Sequence, residues 1–177
     1  DYAEKGGHLL AMTMAFSRDE WGSGIFEKSP VGMTDFFGMH VVEMGPVFDG
    51  QTDAPVRIGE LTIRSHFWQE TLESEGAEVL GVFRGTYRDG WPVLTEHPYG
   101  KGSALYLGTA PAPEDAPALL RWLLERCGVS LPPVEMAYGL SVVTRFSETE
   151  RYIFVFNSLP REQVCRLTRS LEADYGI

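Results

Sequence analysis

The run Gly90-Trp-Pro-Val-Leu-Thr-Glu-His-Pro-Tyr-Gly-Lys-Gly-Ser-Ala-Leu-Tyr-Leu-Gly-Thr109 constrains the fold more than any other stretch. Two apolar runs, Trp91–Thr95 and Ser103–Gly108, flank Glu96–Gly102, which holds Pro98, Gly100 and Gly102. Glycine supplies backbone angles that other residues avoid and proline stops ladder pairing, so the pattern predicts strand, tight turn, strand. Tyr99-Gly-Lys-Gly102 is glycine-rich, but a phosphate-binding loop needs longer spacing and must open a helix. Here the loop lies between two strands and is read as scaffold.

The hairpin leads into the strongest helix signal, Ala116–Arg126. Asp115 is placed to cap it and Pro117 is tolerable in its first turn. Leu119, Leu120, Leu123, Leu124 and Cys127 form an apolar stripe at helical spacing, and Gly128 stops it. Upstream, Tyr2–Lys5 reads as a helix tail closed by Gly6, followed by a buried strand over His8–Phe16. A helix feeding straight into an apolar strand is half of an α/β unit. Ser17–Ser29 reads as a loop, Pro30–Phe37 as a short helix stopped by Gly38, and Met39–Met44 as a strand. Gly45–Pro55 is a loop. Arg57–Arg64 alternates around Ile58, Leu61 and Ile63 and is read as one strand, Phe67–Glu75 is ambiguous, and Glu78–Phe83 is a strand.

Ser130-Leu-Pro-Pro133 is a stiff linker, because two prolines fix φ and forbid helix. It sets a domain boundary between 1–129 and 134–177. Beyond it, Leu140–Phe146, Arg151–Asn157 and Gln163–Arg169 alternate with polar turns, which predicts a small antiparallel meander or sandwich.

With 44% apolar and 12% aromatic residues in a chain of 177, a sizeable core is available and disorder is not expected. A net charge of −10 argues against nucleic acid and against an anionic membrane surface as partners. The longest apolar stretch, near Leu9–Phe16, is far too short to span a bilayer. The chain starts without Met and shows no signal-peptide core, which suggests a fragment or a processed chain. Cys127 and Cys165 leave a disulfide open, and no Cys/His spacing fits zinc.

Candidate chemistry is sparse. The acids Asp19-Glu20, Glu114-Asp115 and Glu148 with Glu150 are sequence neighbours, whereas glycoside hydrolysis needs two carboxyls facing each other across a sugar. No two of His8, His40, His66 and His97 fall four residues apart, and no Gly-x-Ser-x-Gly elbow occurs. Trp21, Phe26, Phe36, Phe37, Phe67 and Trp68 are the aromatics to weigh between core packing and an interface. Of these Trp21, Phe26, Phe67 and Trp68 are the interface candidates.

Taken in order, several segments resemble the trimeric beta-galactosidases of glycoside hydrolase family forty-two. Tyr2-Ala-Glu-Lys-Gly-Gly-His-Leu9, Ser17-Arg-Asp-Glu20, Pro30 through Gly38 to Val42-Glu43, and Gly76-Ala-Glu-Val-Leu80 are similar to segments of that family's trimerisation domain. Pro92-Val to Tyr99-Gly-Lys-Gly and Tyr106-Leu-Gly-Thr109 are the most specific match. Arg145 and Tyr152-Ile-Phe-Val-Phe-Asn157 resemble its small C-terminal domain. The resemblance implies a partial flavodoxin-like α/β sheet, similar to class I glutamine amidotransferases, followed by a small antiparallel β domain. It also implies a bacterial, cytoplasmic homotrimer in which this region assembles subunits, with no cofactor. The family's catalytic barrel is not in this chain: its acid/base Glu follows an Asn, and the single Asn here, Asn157, precedes Ser158. No catalytic residue is carried over. An incomplete α/β domain leaves a sheet edge and apolar faces to be covered. Two alternatives stand beside it: a carbohydrate-binding module presenting Trp21 or Trp68, and an amidotransferase-like enzyme, which requires a reactive thiol at Cys127 or Cys165.

Overall fold

The computed structural model describes residues 1–25, 27–47, 54–129 and 134–167. It divides into two compact units, Asp1–Leu123 and Leu124–Ile177. The first contains β1 (His8–Met12), α1 (Thr34–Phe37), β2 (Met39–Pro46), β3 (Pro55–Ile58), β4 (Leu61–Ser74), β5 (Glu78–Phe83), β6 (Pro92–Tyr99), β7 (Gly102–Leu107) and β8 (Thr109–Pro111). Helix α2 (Ala116–Arg126) straddles the division.

The strands form one mixed sheet in the order β1-β7-β6-β5-β3-β4-β2, with β8 paired to β4. Only β1–β7 is parallel among the described pairs, and strand far outweighs helix. The expected alternation of strand and helix therefore gives way to antiparallel pairing over most of the sheet. The reason lies in the connections. A parallel neighbour needs a crossover of a dozen residues or more. Here Ile58 and Leu61, and Tyr99 and Gly102, pair directly across two-residue turns.

Several boundaries shift for local reasons. Arg57–Arg64 is two strands rather than one: Gly59, at φ 56°, turns the chain between Ile58 and Leu61. The step of three between those apolar residues already broke a period of two. The ambiguous Phe67–Glu75 segment belongs mostly to the long β4, which pairs β3 through Leu61–Arg64, β8 through Ser65, His66 and Gln69, and β2 through Trp68–Ser74. The central hairpin forms as expected, but its turn shrinks from Glu96–Gly102 to Gly100-Lys101, so Pro98 lies inside β6.

The predicted buried strand over His8–Phe16 ends at Met12, and Leu10 and Met12 are exposed on it. β1 is a terminal strand of the sheet, so one of its edges has no paired strand among the described residues. Tyr2–Lys5 forms a turn, with the Gly6 and Gly7 amides donating to the Ala3 and Tyr2 carbonyls. Helix α1 is shorter than the predicted Pro30–Phe37 and stops at Gly38, which is left-handed and returns its amide to Thr34.

The main core gathers Ala11, Phe37, Met39, Leu72, Ala104 and Tyr106 from α1 and four strands. Phe37 sits edge-on to Tyr106 at 5.6 Å and to Phe36 at 5.0 Å, and Phe36 meets Tyr99 at 4.8 Å. Phe36 and Phe37 are thus packing residues. Burying each large side chain contributes roughly 1.5–3 kcal/mol.

Helix α2 matches its expected bounds, with Leu119 and Leu123 buried and Leu120 exposed. Asp115 has a different partner from the one expected. Its Oδ2 accepts the Arg64 backbone amide at 2.8 Å and Nε at 2.9 Å, tying the helix start to β4. Those hydrogen bonds hold the Asp115 carboxyl below its ordinary value. A depressed folded value contributes stability above the unfolded carboxylate range, and that stability is lost as pH falls through the folded value. Asp115→Ala is accordingly expected to cost about 1 kcal/mol at pH 7 and progressively less below about pH 4, read by urea unfolding.

In the second unit β10 (Leu140–Phe146) and β11 (Arg151–Asn157) form a hairpin over their predicted bounds. The expected third strand of a meander is instead β12 (Cys165–Leu167), which pairs with β9 (Val134–Met136) in a separate two-stranded sheet. β9 was hidden by its position directly after Pro133, where the sequence signals a linker. The linker itself, residues 130–133, lies outside the described residues.

Candidate subunit interface

An assembly surface is built from apolar side chains that the fold leaves uncovered. On the terminal strand β2, Val42 and Met44 are about half exposed. Beside it, β4 carries an irregularity against β8: His66 pairs Ala110 and Gln69 pairs Thr109, so Phe67 and Trp68 are extra residues on that side, while Trp68 still pairs Pro46 of β2. Phe67 adopts φ 67° and is 62% exposed. An aromatic in that conformation is strained, and such strain persists where neighbours over-determine it.

The residues next to it are held by a buried polar network. Arg88, from the turn between β5 and β6, is buried and donates from Nη1 to Gln69 Oε1 at 2.8 Å and from Nη2 to Glu43 Oε1 at 2.9 Å. Gln69 donates to Ser65 Oγ at 2.6 Å. Next along β4, buried Glu70 accepts the Met14 amide at 2.8 Å and the Tyr106 hydroxyl at 2.9 Å. Arg88 thus ties β2 to β4 beside the bulge, Glu70 ties β4 to β7, and the Phe67 carbonyl itself accepts the Val47 amide at 2.9 Å.

The four interface candidates separate. Trp21 is 83% exposed on a loop, and Phe67 stands on the bulge. Trp68 is half-buried beside Phe67, with ring centroids 6.4 Å apart, and its carbonyl accepts Thr109 Oγ1 at 2.7 Å. Phe26 lies outside the described residues. Val42 and Met44 were missed because Met39–Met44 looks like an ordinary buried strand. Edge position is not written in a strand's own composition.

Most of the polar groups weighed for chemistry are engaged in the scaffold. Asp19 Oδ1 accepts the amides of Trp21 and Ser23, and Glu114 and Asp115 both meet Arg64. Glu150 accepts the Tyr152 hydroxyl. His40 Nδ1 lies 3.0 Å from Glu75 Oε1, in an orientation that falls short of a hydrogen bond. Lys28 is the main cause that holds the Glu75 carboxyl low. His8, Ser103 and Glu96 come together, yet the buried Ser103 hydroxyl donates to Glu96 at 2.6 Å and His8 Nδ1 stands 2.8 Å from it. A nucleophile would give its proton to the histidine. This trio therefore clasps β1, β7 and β6 together.

Cys127 is partly buried and Cys165 is exposed. Among the described residues no group of three or more His, Cys, Asp or Glu could hold a metal ion. No described helix is long and apolar enough to cross a membrane.

Known proteins place this scaffold. Residues 1–130 match the family model described as the beta-galactosidase trimerisation domain. The chain is 29% identical over 92% of its length to the beta-galactosidase LacZ of Heyndrickxia coagulans, covering 24% of that protein. It is 30% identical, again over 92% of its length, to BgaB of Geobacillus sp. (strain Y412MC61), covering 25% of it. The beta-galactosidase structure from Bacillus circulans sp. alkalophilus shares the fold, with a TM-score of 0.72 at 22% identity over 87% of this chain and 23% of that one. The chain thus spans about a quarter of the length of the curated relatives it matches. On the match over 1–130, the chain belongs to the beta-galactosidase trimerisation domain family, a domain of subunit assembly.

Proposed function

We propose that this chain is the non-catalytic, C-terminal assembly region of a beta-galactosidase and holds its subunits together as a homotrimer. The observation that carries the proposal is the family match over 1–130 together with relatives named beta-galactosidases. The parent enzyme hydrolyses terminal β-D-galactosides in the cytoplasm with two carboxyls of a barrel domain outside this sequence. Residues 1–129 form the assembly domain and 134–177 a small β domain, joined by 130–133. The parallel pair β1–β7 and the exposure of Leu10 and Met12 support reading this end of the sheet as part of a flavodoxin-like, glutamine-amidotransferase-like half. Trp21 and Phe67 serve as contact residues, because rigidly held aromatics give large contact area at little entropic cost.

Sedimentation equilibrium of the chain is expected to give a mass above that of one 19.7 kDa protomer. A chromogenic galactoside is expected to stay intact. A monomer at all concentrations would sink the assembly reading, and turnover of the sugar would sink the non-catalytic one.

A further inference from the structure

We infer that two separate features of this chain are the two halves of one head-to-tail contact between copies: the loop tip at Asp19–Trp21 and an arginine-rimmed groove on β3 and β5. The inference rests on the assembly role proposed above and names the contact that carries it.

The groove, of about 260 Å3, has Leu80 and Val82 on its floor with Arg57 and Arg84 at its rim. Arg57 pairs with Val82 across β3–β5, and the Arg84 amide donates to the Pro55 carbonyl at 2.8 Å. The two arginines are therefore diagonal neighbours on one sheet face, about 7–8 Å apart at their backbones. Arg57 Nε donates to the Gly59 carbonyl at 3.1 Å, and among the described residues Arg57 has no ion pair. Arg84 has a long contact with Asp89, 3.6 Å, with both side chains about half exposed. Two guanidinium groups over an apolar floor suit a ligand that is flat, apolar and flanked by carboxylate.

The loop tip supplies that combination. Asp19, Glu20 and Trp21 are consecutive, and Trp21 is the most exposed aromatic of the first unit's described residues. The tip is held rigidly. The Asp19 amide donates to the Ser23 carbonyl at 2.9 Å, and Asp19 Oδ1 accepts Trp21 and Ser23 amides at 2.9 and 2.8 Å. Arg18 Nη1 donates to the Gly22 carbonyl at 2.7 Å, and Arg18 bridges to Gly24. Rigid presentation of an uncovered indole lowers the entropy lost on binding. No residue of the tip lines the groove, so the tip does not fill the groove of its own chain.

Charge selects the occupant. At −10, two copies repel over most of their surfaces, and a paired-arginine rim is where an acidic tip of another copy is attracted. Tip and groove are different patches, so their contact is heterologous and closes into a ring when the rotation permits.

The test is sedimentation equilibrium of the whole chain with four variants: Trp21→Ala, Glu20→Arg, Arg57→Glu/Arg84→Glu, and Glu20→Arg combined with Arg57→Glu/Arg84→Glu. All changed side chains are exposed, and circular dichroism checks that each variant folds. Trp21→Ala and the two unbalanced charge variants are expected to weaken association at least about tenfold, and the combined swap to regain most of it. Assembly of the wild type that survives Trp21→Ala, or a combined swap no better than its parents, overturns this contact while leaving the assembly role intact. A wild-type chain that stays monomeric overturns both.

Discussion

Gly102→Ala is expected to destabilise the first unit by about 4 kcal/mol, lowering the melting temperature by roughly 10 °C. Position 102 opens β7 at the end of the central hairpin. A Cβ there would fall on the Gly7 carbonyl oxygen and within 2.8 Å of the Ala3 carbonyl oxygen. Both obstacles are backbone, so no side chain can swing away. The turn at Asp1–Gly7 would have to lift off the hairpin, taking with it the Lys101 amide bond to the Glu4 carbonyl and the Ser103 amide bond to the Gly7 carbonyl. The parallel β1–β7 pairing begins at the next residues, His8 and Ser103, and would loosen with them. Gly90→Ala is the control. Gly90 has φ 83° but open space around the added carbon, so only the backbone strain is felt, about 1 kcal/mol. Equal losses at the two positions, measured by differential scanning calorimetry, would show that close approach does not govern the hairpin.

Glu70→Ala is expected to cost about 3 kcal/mol. The carboxyl is 1% exposed and satisfies two donors, the Met14 amide and the Tyr106 hydroxyl. Removing it strands both in the core and leaves a cavity beside β4. Tyr106→Phe removes only one of the two bonds and is expected to cost about 1–2 kcal/mol, so the double variant falls short of the sum. Tyr106 also sets an alkaline limit. Burial, then the charge and hydrogen bond of Glu70, push its phenol far above the ordinary value of about 10. A raised folded value means that stability is full below the unfolded value and falls as pH rises beyond it. Urea unfolding between about pH 8 and 11 is expected to show that decline in the wild type and a shallower one in Tyr106→Phe. Identical slopes would remove Tyr106 from the account.

The hairpin, Glu78–Phe83, α2 and the pair β10–β11 were legible because each is specified by neighbours in sequence. Period-two or period-3.6 alternation and turn residues are enough for them. The strand β9 and the turn inside Arg57–Arg64 were obscured by local punctuation, one by Pro133 and one by a glycine inside an apolar run. Glu70 was unreadable as a buried acid, since its partners lie 56 and 36 residues away. Arg57 and Arg84 became a pair only through the β3–β5 register. Among the interface candidates, the sequence named Trp21 and Phe67 as aromatics, and the fold separated them from core Phe37.

The local elements and the family can be read along the chain, because turn glycines, apolar periods and motif order are one-dimensional properties. Which strands became edges, which acids were buried and which aromatics stayed in water emerged only on folding. Those outcomes depend on what each residue meets across the sheet. The hairpin's own glycines show the division. Gly100 is required locally by the two-residue turn, at φ 62°, whereas Gly102 is required by the carbonyls of Ala3 and Gly7, almost the whole domain away along the chain.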